Sequence, residues 1–140
     1  MITSDSEIVV RYAETDQMGI VHHSNYPVWF ELGRTDFIRK LGYSYSKIEE
    51  AGILLPLTDL KCSFKAPARY EDEIIIRTHI EKMTCVRITF GYEIFKKKDM
   101  SLIARGETFH AWTDKNLKPV NISKRMPELY GIMEKALKSD

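Results

Sequence analysis

The chain has 140 residues, 44% of them hydrophobic, and its 21 Lys and Arg nearly cancel its 20 Asp and Glu, leaving a formal net charge of +1. That length suits a single domain over residues 1–140, with enough apolar surface for a core and for an oligomer interface besides. The charge balance speaks against bulk nucleic-acid or membrane binding.

In chain order, Ile8-Val9-Val10-Arg11-Tyr12 is short, apolar and strand-like. Ala13 to Asn25 is irregular and holds Glu14, Asp16, Gly19, His22 and His23. A helix is expected next. Asn25 is read as its N-cap, Pro27 falls in the first turn, where a missing N–H does no harm, and Gly42 stops it. Apolar residues at Tyr26, Trp29/Phe30, Gly33, Phe37 and Leu41 keep helical spacing. Ser46 and Glu49, as a capping box, and Gly52, as a stop, predict a second, shorter helix.

From Leu55 the period changes to two. Leu60, Cys62 and Phe64 share one face, then Ile74, Ile76, Thr78 and Ile80, then Val86, Ile88, Phe90, Tyr92 and Ile94. Pro67 to Asp72 and Lys96-Lys97-Lys98-Asp99 read as turns, and Leu102 to Thr113 as another long strand. Short connections between long strands imply antiparallel neighbours. An amphipathic helix is expected from Pro127, carrying Leu129, Tyr130, Met133 and Leu137. The order of strand, long helix and four strands predicts an α+β fold, with the helix on one face of an antiparallel sheet.

Cys62 and Cys85 lie far apart, with no CxxC and no histidine at zinc spacing, so reduced thiols are expected. The start, MITSDSEIVV, lacks a basic region followed by a long apolar run, and no stretch approaches the ~18–20 apolar residues of a membrane span. A cytoplasmic protein is the expectation. There is no G-x-S-x-G elbow, no G-x-G-x-x-G loop and no phosphate-binding G-x-x-x-x-G-K-[ST]. Neither a cofactor nor a metal is expected: the adjacent His22 and His23 should point in different directions.

The informative stretch is Arg11-Tyr-Ala-Glu-Thr-Asp16-Gln-Met-Gly19-Ile-Val-His-His23-Ser-Asn-Tyr26-Pro-Val-Trp-Phe-Glu31. It puts a carboxylate and an imidazole in the loop that leads into a helix N-terminus, where free N–H groups and the helix dipole suit a polarised carbonyl oxygen. Asp16 there fits a general base or nucleophile. On residue types alone a turn cap is the more ordinary reading of Asp16, with His23 merely packing.

This stretch resembles the signature of the 4-hydroxybenzoyl-CoA thioesterase family, in its branch of small acyl-CoA thioester hydrolases. Asp16, Gly19, Val21, His23, Tyr26 and Glu31 match the pattern D-x-x-G-x-V-x-H-x-x-Y followed by an aromatic helix with an acidic residue. A second match runs from Phe64 to Ile74. The resemblance implies a hotdog fold, a long central helix wrapped by a five-stranded antiparallel sheet, in a homodimer or homotetramer with active sites between subunits. It implies acyl-CoA hydrolysis to a free acid and CoA, with Asp16 as the catalytic carboxylate, a backbone N–H near His23 as oxyanion donor, and the His23 side chain as an assistant. Tyr26 and Glu31 would shape the substrate pocket. Lys61, Lys65, Arg69 and Arg87, on or beside the flanking strands, are candidates for the CoA phosphates and equally for solvated strand-edge charges. Val21, Trp29, Leu55 and Phe64 are candidates for an acyl tunnel. Two other readings fit the same chain, an acyl-carrier-protein thioesterase and a non-catalytic acyl-CoA sensor.

Overall fold

The structure, a computed structural model, describes residues 1–139. Strand β1 (Ser4–Val9) and a 3-10 turn (Tyr12–Glu14) lead to helices α1 (Asn25–Lys40) and α2 (Tyr45–Glu50). Strands β2 (Leu57–Phe64), β3 (Glu73–Met83), β4 (Arg87–Lys96) and β5 (Ser101–Ala111) follow, then helices α3 (Ile122–Arg125) and α4 (Pro127–Lys138). The strands form one antiparallel sheet in the order β1-β3-β4-β5-β2. A long helix lying on a five-stranded antiparallel sheet is the α+β hotdog arrangement expected above.

The core follows from the two periodicities. Tyr26, Trp29, Phe30, Gly33 and Phe37 of α1 are buried, and so are Ile74, Ile76, Thr78 and Ile80 of β3 and Ile88, Phe90, Tyr92 and Ile94 of β4. Phe30 stacks on Tyr92 with ring centroids 4.4 Å apart. Each such ring removed from water contributes about 1.5–3 kcal/mol. Two glycines set how closely the helix approaches. A Cβ on Gly33 would collide with the Thr78 hydroxyl and lie 2.9 Å from the Ile76 side chain. One on Gly106 of β5 would collide with the Phe30 ring. Helix α1 packs mainly on β1, β3 and β4; β2, bonded to β5 on one side only, is one of the two edges of the sheet.

A buried polar chain crosses the core beneath α1. Arg34 Nη1 lies 3.4 Å from the Tyr92 hydroxyl, that hydroxyl 2.6 Å from Thr108 Oγ1, and Thr108 Oγ1 2.9 Å from His110 Nε2. His110 Nδ1 lies 3.2 Å from the Leu55 carbonyl, which can only accept. That fixes the proton on Nδ1, so Nε2 accepts from Thr108, Thr108 accepts from Tyr92, and Tyr92 accepts from Arg34. Burial, then the Arg34 charge, depress the His110 pKa from 6.5 to about 4.

Three local expectations need correction. Asn25 is the first helical residue of α1 rather than its N-cap; Ser24 precedes the helix, and the Asn25 amide turns back to the Glu14 and His22 carbonyls at 2.9 and 3.1 Å. The cap of α2 is Ser44, whose Oγ accepts the Lys47 N–H at 3.2 Å, so Ser46 is already inside the helix and Glu49 closes no box. Val86 falls outside β4 and is 39% exposed, because the Thr84 hydroxyl takes the Val86 and Arg87 N–H groups into a turn. Helix α3, capped by Asn121, was not expected. Gly42 and Gly52 do end their helices, at φ of +94° and +83°. No helix among the described residues is long and apolar enough to cross a membrane.

Candidate active site

The loop between the 3-10 turn and α1 is closed on itself. Thr15 bridges Val21, the Asp16 N–H donates to Ile20 O at 2.9 Å, and the Gly19 N–H donates to Asp16 O at 2.9 Å. Gly19 sits at φ +79°, a conformation that costs glycine least. The Asp16 carboxylate takes part with one oxygen, Oδ1 accepting the Met18 N–H at 2.8 Å, while Oδ2 has no hydrogen-bond partner among the described residues. Asp16 is therefore a turn cap and also presents an uncommitted carboxylate oxygen. The two readings of this residue are compatible.

At the start of α1, most N–H groups are engaged. Those of Asn25 and Tyr26 donate to the His22 and His23 carbonyls at 3.0 and 3.3 Å, and that of Ser24 lies 3.1 Å from His22 Nδ1. The His23 N–H makes no hydrogen bond among the described residues. The His22 and His23 rings, expected to diverge, lie side by side with centroids 4.1 Å apart and planes tilted by 30°. The Ser24 hydroxyl holds His22 Nδ1 at 2.8 Å, which draws that ring forward along the chain, towards His23.

A cavity of about 400 Å³ opens at this point, lined by Asp16, His23, Tyr26, Phe64 and Lys65, with Met18, Ile20, Val21, Ala66 and Pro67 completing it. The second sequence match, at the end of β2, thus meets the first across one space. Tyr26 packs edge-on against Phe64 at 5.1 Å. Burial, with a smaller contribution from Cys62, pushes the Tyr26 phenol up to about 12, so it stays neutral. Burial pushes the Cys62 thiol up to about 11, which leaves it unsuited to nucleophilic work.

The other expected site residues lie elsewhere. Glu31 is exposed on α1. Lys61 places its ammonium 5.4 Å over the Phe109 ring and lines a separate groove of about 590 Å³ with His79, Glu93 and Arg105. The Arg69 N–H is bound by Asp72 at 2.8 Å in the turn after β2. Arg87 lines a smaller cavity with Lys82 and Thr89. Of the expected tunnel residues Val21 and Phe64 line the cavity, whereas Trp29 and Leu55 do not. Sequence reasoning missed Glu14, which is buried at 4% exposure beside Asp16. Its signal was the Arg11…Glu14 spacing of three, which suits a capping pair and an ion pair.

A family model described as the thioesterase-like superfamily matches residues 10–129. A Bacillus subtilis (strain 168) protein named "Putative acyl-CoA thioesterase YneP" is 41% identical over 139 residues, covering 99% of this chain and 100% of the relative. The acyl-CoA thioester hydrolase YbgC of Escherichia coli O157:H7 is 27% identical over 93 residues, covering 66% of this chain and 69% of its own length. The crystal structure of a DHNA-CoA thioesterase from Staphylococcus aureus superposes with a TM-score of 0.92 at 38% identity, covering 96% of this chain and 91% of that one.

Proposed function

The chain belongs to the thioesterase-like superfamily, and from that premise we propose that it hydrolyses acyl-CoA thioesters, with Asp16 as general base or nucleophile. The observation that carries this reading is that one cavity is lined both by Asp16, whose Oδ2 has no hydrogen-bond partner, and by His23, whose N–H at the helix start makes no hydrogen bond among the described residues. Thioester hydrolysis needs both parts. Asp16 either deprotonates the attacking water or attacks the carbonyl itself, and the developing oxyanion lodges on the His23 N–H, favoured by the positive end of α1. Collapse of the tetrahedral species expels the CoA thiolate; it leaves the free acid where water attacked, and an acyl-Asp16 anhydride, which a water then hydrolyses to the free acid, where Asp16 attacked. The His23 side chain, exposed at the rim, would orient water or the thioester. The names of the YneP and YbgC relatives support acyl-CoA as the substrate class. A panel of acyl-CoA thioesters assayed with a thiol-detecting reagent tests the proposal, and no release of CoA from any of them refutes it.

Of the basic residues, Lys65 is the one that lines the cavity. As a charge-assisted donor to a CoA phosphate it should act on binding more than on chemistry. Lys65→Ala is expected to raise KM for acyl-CoA roughly 3- to 10-fold, with a smaller fall in kcat. Hydrolysis of a short thioester lacking the nucleotide should be unchanged; equal losses on both substrates would assign Lys65 to the fold or the chemistry instead.

The free edge of β2 bears on assembly. Leu57 and Phe64, at its two ends, are 50% and 55% exposed, and Phe64 to Pro67 form one wall of the cavity. An unpaired edge with apolar ends is a pairing surface, and we propose a homodimer or homotetramer in which a second copy pairs along β2 and closes the cavity's open side. Light scattering at micromolar concentration should give at least twice the 16.3 kDa of one chain; a stable monomer would end this part of the proposal.

A further inference from the structure

Glu14, two residues before Asp16, is 4% exposed and lines not the cavity just described but a separate one, with Arg11 and Trp29. A buried carboxylate is tolerated only when its oxygens are well bonded. Here Oε1 accepts the Arg11 N–H at 2.8 Å, and Oε2 accepts the Trp29 indole N–H at 2.9 Å with the Arg11 guanidinium at 3.5 Å. Burial alone would push this carboxyl up, but the bonds from Arg11 and Trp29 outweigh it and hold the group below its ordinary range. The Glu14 carbonyl also accepts the His22 N–H at 2.8 Å and the Asn25 amide at 2.9 Å. One residue therefore grips the chain on both sides of the Thr15–Val21 loop and reaches the first two turns of α1.

We infer that Glu14 is a positioning residue: by clamping His22, Asn25 and Trp29 it sets the Asp16 carboxylate against the helix start, without touching the substrate. The inference rests on the thioesterase reading of the cavity. Stability alone is a poor reason for a buried anion at this place, because apolar groups of similar volume commonly stabilise a protein as well or better. Geometry is a better one. The base and the oxyanion donor sit on opposite sides of the loop that Glu14 spans, and a slip of about 1 Å between reacting groups costs on the order of 100-fold in rate.

Glu14→Gln keeps the shape but turns an amide N–H towards a donor, so one of the two strong bonds is lost. Measured per titrated active site, kcat should fall roughly 10- to 100-fold, while KM and the affinity for a non-hydrolysable thioether analogue of acyl-CoA hold. Amide exchange should quicken across residues 15–22 and stay slow in α1. Trp29→Phe, which removes one donor from the clamp, should shift kcat and exchange in the same direction by less. If either variant melts earlier yet keeps wild-type kcat per site and wild-type exchange in the loop, Glu14 is merely structural and the inference falls. Should Glu14→Gln fail to fold, Trp29→Phe decides alone, on the same criteria. Absence of any thioester hydrolysis by the wild type would refute the functional reading, and the exchange data would still report whether the clamp holds the loop.

Discussion

Asp16→Asn should lower kcat for acyl-CoA hydrolysis by at least ~10²–10⁴-fold, the range expected for a lost general base. The substitution is cleaner here than at most carboxylates. The Asn side-chain oxygen can still accept the Met18 N–H that Oδ1 accepts at 2.8 Å, so the turn persists. What disappears is the charge and basicity of Oδ2, the oxygen with no hydrogen-bond partner among the described residues. Substrate affinity and melting temperature should therefore change little. Most of the activity surviving in a clean Asp16→Asn preparation would make Asp16 a turn residue and the proposed mechanism wrong. A wild type that binds acyl-CoA tightly but releases no CoA would point to a sensor.

Acid should weaken the fold through His110. Its pKa falls from 6.5 in the unfolded chain to about 4 in the folded one. The stability that depends on its neutral form is therefore fully present above pH 6.5, declines as the pH drops, and is gone below about 4. The difference corresponds to about 3 kcal/mol, at about 1.4 kcal/mol per pKa unit. Burial is the main cause, then the Arg34 charge, and the direction of the hydrogen-bond chain opposes a second proton as well. A proton on Nε2 would make it a donor towards Thr108 Oγ1, which already receives the Tyr92 hydroxyl proton, and would add a cation near Arg34. Urea unfolding between pH 7 and 4 should show a steeper loss for the wild type than for His110→Gln, by about one bound proton. Parallel curves would mean that His110 accepts its proton in the fold without penalty.

Much of this arrangement was legible in the sequence because single residues announce it. Pro27, Gly42, Gly52 and Pro127 mark helix ends through backbone geometry that no neighbour can alter, and the period of two in β3 places Ile74, Ile76, Thr78 and Ile80 together in the core. The bounds that slipped depend on which of two nearby hydroxyls wins a local competition, as at Ser44 over Ser46 and at Thr84 before β4. Asp16, His23, Tyr26 and Lys65 line one cavity, because loop and strand end are joined by the Val21 N–H to Ala68 O bond at 2.8 Å. Lys61 and Arg87 were beyond such reasoning. A one-residue parity in a strand decides which face a side chain takes, and nothing in a solvent-facing Lys or Arg betrays its distance from a cavity. Glu14 was hidden for the opposite reason, since a charged residue in a polar loop gives no hint that a distant tryptophan will bury it.

The sheet order also has a consequence for synthesis. Strand β1 leaves the ribosome first but pairs only with β3, Ser4 opposite Thr78, and α1 lies on β3 and β4, the second of which ends at Lys96. At ~5–20 residues per second, the helix waits roughly 3–11 s with Trp29, Phe30 and Phe37 lacking the surface that will cover them. A nascent chain in that state is a client for chaperones and a hazard to its neighbours. Substitutions that slow the pairing of β3 with β4 should therefore be felt first as lost soluble yield in the cell, even where the finished protein melts at an unchanged temperature.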